Sequence, residues 1–411
     1  MTQDRNVVIT GIGVLSPLGI GREQYWHGLS LGKTGFGPVT LFDTTGFGVN
    51  TAGEVRDFDP VALLGKKGLR ELDRSTRLVS SAAKLAIEDS RFEISEDNTQ
   101  SVGVSVGTTF GSLHSISQFD RTSLIDGPRY VNPSHFPNTV INSPASRISI
   151  RFKIKGFNTT ISTGFCAGID AISYASDFIR MDRANAVLAG GVEELCEETF
   201  IGFLKLGCLS GEDGSDPVCR PFDARRNGTV LSEGAAIMVV EDEEYAIGRG
   251  ARILARISGY GNSFDPEARM DFGHAGKGLK NAVIIALEDA SLSPTDIDYV
   301  SSCANSTKGL DRMESSVLKD LLREHAYGIP VSSIKSMLGE SFSASGALAC
   351  AAAVGTLRNG VIPPTVNYEA RDPECDLDYV PNEPRKKDIR NVLVVSSDPY
   401  GNNSAVILSK Y

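Results

Sequence analysis

Short apolar runs alternate along the chain with stretches of helical periodicity. Residues 7–9 are apolar and are followed by Gly11, Gly13 and Pro17, a pattern typical of a buried strand that ends in a glycine-rich loop. Residues 392–396, near the other end, predict a comparable buried strand. Between them, segments rich in Val, Ile and Ala alternate with helical patterns. This alternation predicts a layered α/β architecture.

A nine-residue pattern occurs twice, in residues 82–90 (AAKLAIEDS) and 282–290 (AVIIALEDA). Both copies have alanine at the first and fifth positions, aliphatic residues at the fourth and sixth, and then Glu-Asp. Each copy is followed by a short apolar segment that runs into a loop of small residues. A chance match between two amphipathic helices is the alternative, but the shared order of elements favours two similar halves.

The two predicted halves are unequal in length. We assign residues 1–258, with cap insertions, to the first half and residues 259–411 to the second. Two segments rich in Gly, Asp and Pro, residues 207–223 and 259–278, are predicted to be loops above the sheet. Loops in this place normally shape the functional site.

The charge balance excludes one class of partner. The 411 residues include 41 Lys and Arg against 51 Asp and Glu, which gives a net charge of −10. Because a phosphate backbone requires a basic surface, nucleic acid is excluded as a partner. The sequence has no run of eighteen apolar residues, and its start lacks the basic and apolar regions of a leader. We therefore expect a cytoplasmic protein that does not bind a membrane.

The cysteines and histidines exclude two kinds of site. The seven cysteines are an odd number, are widely spaced and include no CxxC pair, and no histidine lies close to any of them in sequence. The sequence therefore favours neither a disulfide scaffold nor a zinc site, and we expect no metal and no cofactor. Only five histidines are present in the whole chain.

Five segments in a fixed order carry a family resemblance. Four of them begin at Val7 (VVITGIGVLSPLG), Arg220 (RPFDARRNGTVLSEGAAIMVVE), Leu292 (LSPTDIDYVSSCANSTKGLDRMES) and Ser333 (SIKSMLGESFSASGAL), and the fifth is NNSAVIL near the end. Together they resemble the β-ketoacyl synthases of the thiolase fold, which extend acyl chains held on acyl carrier protein. The resemblance runs nearly end to end. It implies an α/β, thiolase-like fold in which two similar halves form a five-layered αβαβα sandwich.

The chemistry of that family needs a cysteine thiolate at a helix N-terminus and two histidines that stabilise an enolate. The segment that matches the nucleophile motif is Thr163-Gly-Phe-Cys-Ala-Gly168, followed by an apolar helix. Alignment on Gly168 without a gap places Phe165 at the nucleophile position and Cys166 one residue later. Since consecutive side chains around a turn point in different directions, we interpret Cys166 as a small buried hydrophobe.

The two histidine positions of the family are occupied by other residues. In the family, the first histidine lies eight residues before an aspartate and eleven before a glutamate. The aspartate and the glutamate are retained here as Asp311 and Glu314, and the residue eight positions before Asp311 is Cys303. The second histidine follows Lys-x-x-x-Gly; Lys335 is retained, and Glu340 stands in the histidine position. Neither imidazole is present, because the nearest histidines, His274 and His325, lie in other segments.

These substitutions oppose the chemistry of the family. A carboxylate at position 340 accepts hydrogen bonds and would repel a forming enolate. We predict instead that Glu340 pairs with Lys335 in a partly buried polar cluster, that Cys303 serves packing, and that Phe165 fills the space of an acyl thioester. No residue of this chain is then catalytic. A malonyl decarboxylase with retained histidines is excluded as well.

A synthase scaffold without its catalytic set resembles the chain length factor, or ketosynthase β, of bacterial type II polyketide synthases. Such a subunit forms a heterodimer with an active ketosynthase α, and the growing chain, delivered by acyl carrier protein, enters a tunnel at their interface. Many chain length factors of aromatic systems have glutamine in place of Phe165, so we expect no priming activity here. The alternatives are a self-dimer, and an active synthase or acyltransferase that uses Cys166 or Cys303 in a rearranged site.

The same resemblance implies where the partner binds. The loop and helix after the strand at residues 102–106 should lie at the interface and line the tunnel. Strand 186–190 is expected to extend one sheet across both subunits. Apolar residues at helical spacing are more often core than gate, which is the alternative for each of these positions. The predicted tunnel and interface residues are Phe110, Leu113, Ile116, Phe119 and Asp120.

Overall fold

The computed structural model describes residues 5–268 and 276–411. Within these residues, strands and helices alternate as the sequence predicts. The strands are β1 (Val7–Ser16), β2 (Gly19–Ile20), β3 (Phe36–Pro38), β4 (Thr51–Gly53), β5 (Val102–Gly107), β6 (Asn158–Ile161), β7 (Ala186–Glu193), β8 (Gly234–Asp242), β9 (Ala255–Phe264), β10 (Tyr299–Ser301), β11 (Val331–Ser332), β12 (Val361–Ile362), β13 (Arg385–Lys386), β14 (Asn391–Ser397) and β15 (Asn402–Ser409). The α-helices are α1 (Arg22–Ser30), α2 (Pro60–Leu64), α3 (Arg74–Ser90), α4 (Leu113–Ile125), α5 (Ser143–Phe152), α6 (Ala167–Arg180), α7 (Glu197–Lys205), α8 (Glu243–Gly248), α9 (Lys277–Ala290), α10 (Lys308–Leu322), α11 (Lys335–Leu338) and α12 (Ser343–Asn359).

The main sheet contains two halves with the same topology. The first half has the strand order β6-β5-β7-β8-β1, and the second has the order β11-β10-β14-β15-β9. In each half the first three strands are parallel and the next two pairings are antiparallel. β1 and β9 pair antiparallel and join the halves. The assigned boundary between residues 258 and 259 falls inside β9 and stays a prediction.

Helices lie on both faces of each half. α6 contacts β5 and β7 of the first half and β9 and β15 of the second, and α12 contacts β7, β8 and β14. Nearly all of α12 is buried, because its Ala, Ser and Gly side chains allow close packing on every face. α3 packs against the first half and α9 against the second, opposite these central helices. The resulting five layers, αβαβα, confirm the predicted thiolase-like fold.

The glycines of the first strand have a packing role. β1 continues through Gly11 and Gly13, where the sequence pattern predicted a loop, so that prediction was wrong. A Cβ at Gly13 would lie 1.9 Å from the Ala82 carbonyl oxygen, and one at Gly11 would lie 2.5 Å from that of Ala86. Glycine at these positions therefore allows α3 to lie directly against the strand.

The strand predicted to reach the partner subunit lies inside the sheet. β7, which contains residues 186–190, pairs with β5 on one side and β8 on the other. It has no free edge, so this prediction was wrong. The edge of the first half is β6, which pairs with β5 and carries the more polar sequence NTTI. Polar side chains are typical of an edge strand, whereas apolar residues favour an internal one.

The two predicted cap loops have different outcomes. Residues 207–223 form neither a helix nor a strand of more than one residue. Residues 259–264 belong to β9 and residues 277–278 to α9, so the second loop prediction was wrong at both ends. The middle of that segment, residues 269–275, lies outside the described residues, and with it His274.

Candidate functional site

Phe165 lies at the N-terminal end of a central helix and is enclosed by other aromatic rings. It belongs to a short 3-10 helix, Gly164–Cys166, that leads directly into α6, and its side chain is 3% exposed. Its ring centroid lies 5.0 Å from that of Phe342 and 6.4 Å from that of Phe203, and Phe342 also contacts Phe110 at 5.1 Å. We call Phe110, Phe165, Phe203 and Phe342 the aromatic cluster. It fills the position that the resemblance assigns to a nucleophile.

The backbone of Phe165 is held by the end of β14 and by the loop between β14 and β15. Its N–H donates to Asp398 Oδ2 at 3.3 Å, and its carbonyl oxygen accepts from Ser396 Oγ at 3.2 Å. Asp398 also accepts from the backbone N–H groups of Tyr400 and Asn402 at 2.9 and 3.0 Å. The ring of Phe165 therefore has a fixed position.

Cys166 is fully buried at the start of α6. Burial raises the pKa of its thiol well above the usual range, and the nearby carboxylates of Asp170 and Asp398 act in the same direction. A helix N-terminus by itself would favour the thiolate, but desolvation outweighs it here. The thiol therefore stays protonated at neutral pH, as in a buried structural cysteine.

Cys303 is hydrogen-bonded to a buried carboxyl group. Its Sγ donates to Glu314 Oε2 and its backbone N–H donates to Glu314 Oε1, both at 3.3 Å. Ser302 Oγ donates to the same carboxyl group at 2.8 Å. Burial raises the pKa of Cys303 well above its usual range, Glu314 adds to that effect, and burial also raises the pKa of Glu314. The pair therefore lacks an activated thiolate.

Glu340 pairs with Lys335 as the sequence predicts, but the cluster is fully buried and not partly so. Lys335 Nζ lies 2.7 Å from Glu340 Oε2, and the two side chains are 7% and 1% exposed. Burial is the largest influence on the pKa of Lys335 and lowers it, but Glu340, Cys303 and Glu314 together outweigh burial, and the pKa is raised overall. Glu340 also accepts from Asn305 Nδ2 at 2.9 Å, Ser345 Oγ at 2.9 Å and Phe342 N at 3.0 Å. The carboxylate thus has four donors within this chain.

Asp311 lies beside this cluster. It accepts from the backbone N–H groups of Phe222 at 2.8 Å and Asn305 at 3.1 Å. Burial raises its pKa to about 7, although the Arg226 guanidinium, with Nε 3.5 Å from Asp311 Oδ2, acts in the opposite direction. The retained residues Asp311, Glu314 and Lys335 therefore belong to one buried network together with Cys303 and Glu340.

Asn305 is a site residue that the sequence reasoning missed. Its backbone N–H bonds to Asp311, its side-chain amide donates to Glu340, and its Oδ1 accepts from Thr307 Oγ1 at 2.7 Å. It therefore connects the loop after β10 with the loop before α12. Its place inside the CANSTKG segment, two residues after Cys303, was the signal that could have found it.

A cavity of about 490 Å³ opens beside the aromatic cluster. Phe165, Asn305 and Glu340 reach its wall, whereas Cys166 and Cys303 do not line it. The cavity therefore meets an aromatic ring and a paired carboxylate, and no thiol from either predicted position. The remaining lining residues are Phe203, Leu206, Gly207, Cys208, Asn227, Gly228, Thr229, Thr307, Lys308, Pro399 and Tyr400.

The predicted tunnel residues lie on one exposed helix and the loop before it. Phe110 belongs to the aromatic cluster, whereas Leu113, Ile116 and Phe119 are half-buried on α4 and Asp120 is exposed there. No residue of α4 is buried in this chain. Exposed apolar side chains continue beyond these positions, and we call Leu124, Ile125, Tyr130 and Phe136 the α4 surface; they are 84%, 69%, 67% and 58% exposed.

The described histidines lie away from the cluster. His27, His114, His135 and His325 form no hydrogen bond with Phe165, Cys303 or Glu340; for example, His325 Nε2 lies 2.9 Å from the Ile297 carbonyl oxygen. Across residues 5–268 and 276–411, no group of three or more His, Cys, Asp or Glu side chains has a metal-binding arrangement. None of the helices in these ranges is long and apolar enough to cross a membrane.

Comparison with known protein families identifies the scaffold. Residues 4–246 match the N-terminal domain of β-ketoacyl synthases, and residues 254–369 match the C-terminal domain. The chain belongs to the β-ketoacyl synthase family. This confirms the family resemblance that the five sequence segments carry.

A 3-oxoacyl-[acyl-carrier-protein] synthase and a polyketide synthase subunit are among the relatives of this β-ketoacyl synthase family member. The chain is 38% identical to 3-oxoacyl-[acyl-carrier-protein] synthase 2 of Coxiella burnetii, over 99% of each chain. It is 34% identical to the tetracenomycin polyketide synthase ketoacyl synthase alpha subunit of Streptomyces glaucescens, over 99% of this chain and 97% of the relative.

Solved structures show the same fold over the whole chain. The ishigamide ketosynthase/chain length factor matches with a TM-score of 0.92 and 35% identity, over 100% of both chains. A type II polyketide synthase acyl-carrier protein in complex with its ketosynthase bound to the hexaketide matches with a TM-score of 0.91 and 30% identity, again over 100% of both chains. The chain is therefore a relative of type II polyketide ketosynthases.

Proposed function

We propose that this chain is a non-catalytic chain length factor of a type II polyketide synthase. The observation that carries the proposal is the aromatic cluster, in which Phe165 occupies the assigned nucleophile position. A phenyl ring has no lone pair to attack a thioester, and its neighbours leave it in place. Loss of a nucleophile together with its partners typically lowers turnover by about a million-fold, so condensation by this chain alone should be negligible.

The two assigned histidine positions support the same proposal. An enolate needs hydrogen-bond donors aimed at its oxygen. Glu340 supplies an acceptor that is already occupied by four donors, and Cys303 directs its proton to Glu314. Neither group is free to stabilise a negative charge in the cavity. We therefore expect no residual malonyl decarboxylation by this chain.

The proposed partner is an active ketosynthase α that forms a heterodimer with this chain. The α4 surface supports an interface, because exposed large apolar side chains rarely occur together on a monomer surface. The matched structure described as a ketosynthase/chain length factor supports this pairing, and the complex of a ketosynthase with acyl-carrier protein supports a carrier-bound substrate. Within such a dimer, Phe110, Leu113, Ile116, Phe119 and Asp120 are the proposed tunnel and interface residues. The cytoplasmic location remains a prediction.

The alternative is an active synthase or acyltransferase that uses Cys166. The names of the relatives favour a ketosynthase, since they are synthases themselves. Against it, Cys166 is buried, has a raised pKa and does not line the cavity. An acyl group could reach its sulfur only if the side chains that bury Cys166 moved.

Intact-mass measurement separates the two functions. The purified chain is incubated with malonyl and acyl forms of acyl carrier protein, with the Coxiella burnetii relative as the active control. We expect an acyl adduct on the control and none on this chain, because no activated thiol faces the cavity. A stable adduct that is lost in Cys166→Ser would overturn the proposal and establish the alternative.

Co-expression tests the partner. The chain is expressed with the ketosynthase encoded nearest to it in its genome, and the purified complex is sized and assayed for product. We expect a heterodimer that Ile125→Asp weakens, because the substitution places a charge in the α4 surface. Leu31→Asp, at a side chain that is 55% exposed on another face, is the matched control. A chain that forms only self-dimers and leaves product length unchanged contradicts the proposal.

A further inference from the structure

A cleft between α1 and the C-terminal end of α12 holds three arginine side chains. Arg22 lies in the first turn of α1, Arg358 in the last turn of α12, and Arg252 in the segment that leads into β9. With Trp26 they line a cavity of about 240 Å³. α12 has 17 residues. Since an α-helix rises about 1.5 Å per residue, Arg358 lies roughly 24 Å along the helix axis from Phe342 of the aromatic cluster.

Cations outnumber their partners in this cleft. Arg22 Nη1 lies 3.0 Å from Asp89 Oδ2, and Arg252 Nη2 lies 3.6 Å from Asp89 Oδ1. Asp89 Oδ2 also accepts from the backbone N–H of Ile12 at 2.9 Å. Arg358 forms no ion pair with any carboxylate of the described residues, and its Nη1 donates to a backbone carbonyl, that of Ile253, at 3.4 Å. With Glu23, which also lines the cavity, two carboxylates therefore face three guanidinium groups.

The arginines are close enough to affect one another. Burial lowers the pKa of Arg22, and the charges of Arg252 and Arg358 act in the same direction, whereas the carboxylates of Asp89 and Glu23 act in the opposite direction. Glu23, Arg252 and Arg358 are exposed to solvent, where water screens their charges, so the least screened positive charge in the cavity is that of the half-buried Arg22. An anion in the cavity would relieve this repulsion.

The walls of the cleft have a defined shape. Trp26 lies against α12 at Gly355, where a Cβ would lie 2.2 Å from Trp26 Cε3. The indole therefore forms an apolar wall beside the guanidinium groups. Planar guanidinium forks match the oxygen geometry of a phosphate and bind it through paired hydrogen bonds.

We propose that the cleft formed by Arg22, Arg252, Arg358 and Trp26 binds a phosphate group. The cavity has room for the phosphate with a small substituent, and three guanidinium groups favour a dianion over a singly charged carboxylate. This site is separate from the aromatic cluster, so it does not depend on the proposed function.

The test is a titration of the purified chain with sodium phosphate at constant ionic strength. Trp26 is the single tryptophan of the chain, so its fluorescence reports on the cleft, and calorimetry gives the stoichiometry. We expect saturable binding of one phosphate per chain, at least about tenfold tighter than binding of acetate. Sodium chloride at the same ionic strength should give no saturable signal.

Three variants make the test specific. Arg358→Gln and Arg252→Gln should each weaken phosphate binding by about tenfold or more. Arg252 is 55% exposed, so its variant should fold even if Arg358→Gln does not. Arg129→Gln removes the same charge from an exposed position outside the cleft and should leave binding unchanged. The proposal is overturned by the absence of saturable phosphate binding, by equal affinity for acetate, or by equal weakening in Arg129→Gln.

Discussion

Replacement of Lys335 by methionine removes one member of a buried ion pair. Lys335 Nζ and Glu340 Oε2 are 2.7 Å apart, and their side chains are 7% and 1% exposed. Removal of one partner of such a pair typically costs about 3–5 kcal/mol, because the other charge stays buried without a counterion. Glu340 keeps its donors from Asn305, Ser345 and Phe342 N, so we expect a loss near the lower end, about 3 kcal/mol.

Urea unfolding, followed by far-ultraviolet circular dichroism, measures this loss as a shift of the midpoint at constant slope. Lys319→Met is the matched control. Lys319 lies 2.8 Å from Asp376, but these side chains are 28% and 29% exposed, so we expect a cost of no more than about 1 kcal/mol. The nitrogen–oxygen distances of the two ion pairs are nearly equal, so the difference between the two variants measures the effect of burial.

A second substitution tests whether the cost arises from the unpaired charge. Lys335→Met combined with Glu340→Gln removes the charge and keeps an acceptor oxygen for Phe342 N and Ser345 Oγ, although Asn305 Nδ2 then meets an amide nitrogen. We expect this double variant to be more stable than Lys335→Met alone by about 1–2 kcal/mol. If Lys335→Met costs no more than Lys319→Met, Glu340 is solvated, and the reasoning that it is already paired and unavailable to chemistry is wrong.

Three further predictions use the same unfolding assay. Phe165→Ala should lower the free energy of unfolding by about 3–5 kcal/mol, because it leaves a cavity among packed aromatic rings. A loss below about 1 kcal/mol would contradict the conclusion that the ring is enclosed. Burial raises the pKa of Glu194 to about 8, so the folded state holds a proton that the unfolded state has released. Between about pH 5 and 8, the free energy of unfolding of the wild type should therefore fall by up to about 1.4 kcal/mol per pH unit relative to that of Glu194→Gln. Parallel pH profiles of the two proteins would refute this. Gly13→Ala should prevent folding or strongly lower the urea midpoint, since its Cβ would meet the Ala82 carbonyl oxygen. Gly202→Ala, with open space around the added Cβ, should be neutral or stabilising, and equal effects of the two substitutions would disprove the packing argument.

Much of the fold follows from local sequence patterns. The repeated segments at residues 82–90 and 282–290 lie in α3 and α9, which occupy equivalent places in the two halves. The pattern was visible because each helix needs small residues where it lies against a strand that carries glycines, at Gly11 and Gly13 in β1 and at Gly259 and Gly261 in β9. The same close packing explains why glycines that looked like a loop belong to a strand.

Sheet order does not follow from local patterns. Residues 186–190 form an apolar strand, which the sequence reasoning placed at the subunit edge, yet such a strand is favoured inside a sheet with neighbours on both sides. Asn305 was missed for a related reason. Its partners Glu340 and Asp311 are 35 and 6 residues away, and only the fold brings the three together. Contacts between distant segments leave no periodic signal in the sequence.

The side chains of the candidate site already have hydrogen-bond or packing partners within this chain, and this bears on the proposed function. Groups that take part in catalysis commonly retain unmet hydrogen-bonding capacity or a perturbed charge that a substrate relieves. Here Glu340 accepts hydrogen bonds from four donors, and Cys303 donates its thiol proton to Glu314. The ring of Phe165 packs against two other rings of the aromatic cluster. A substrate would gain nothing from these groups unless it first broke their bonds. The α4 surface, by contrast, leaves four large apolar side chains exposed to water. On the proposed function, the chain therefore affects polyketide synthesis through the wall that it adds to its partner's tunnel, and substitutions on α4 should change product length where substitutions at Cys166 or Cys303 do not.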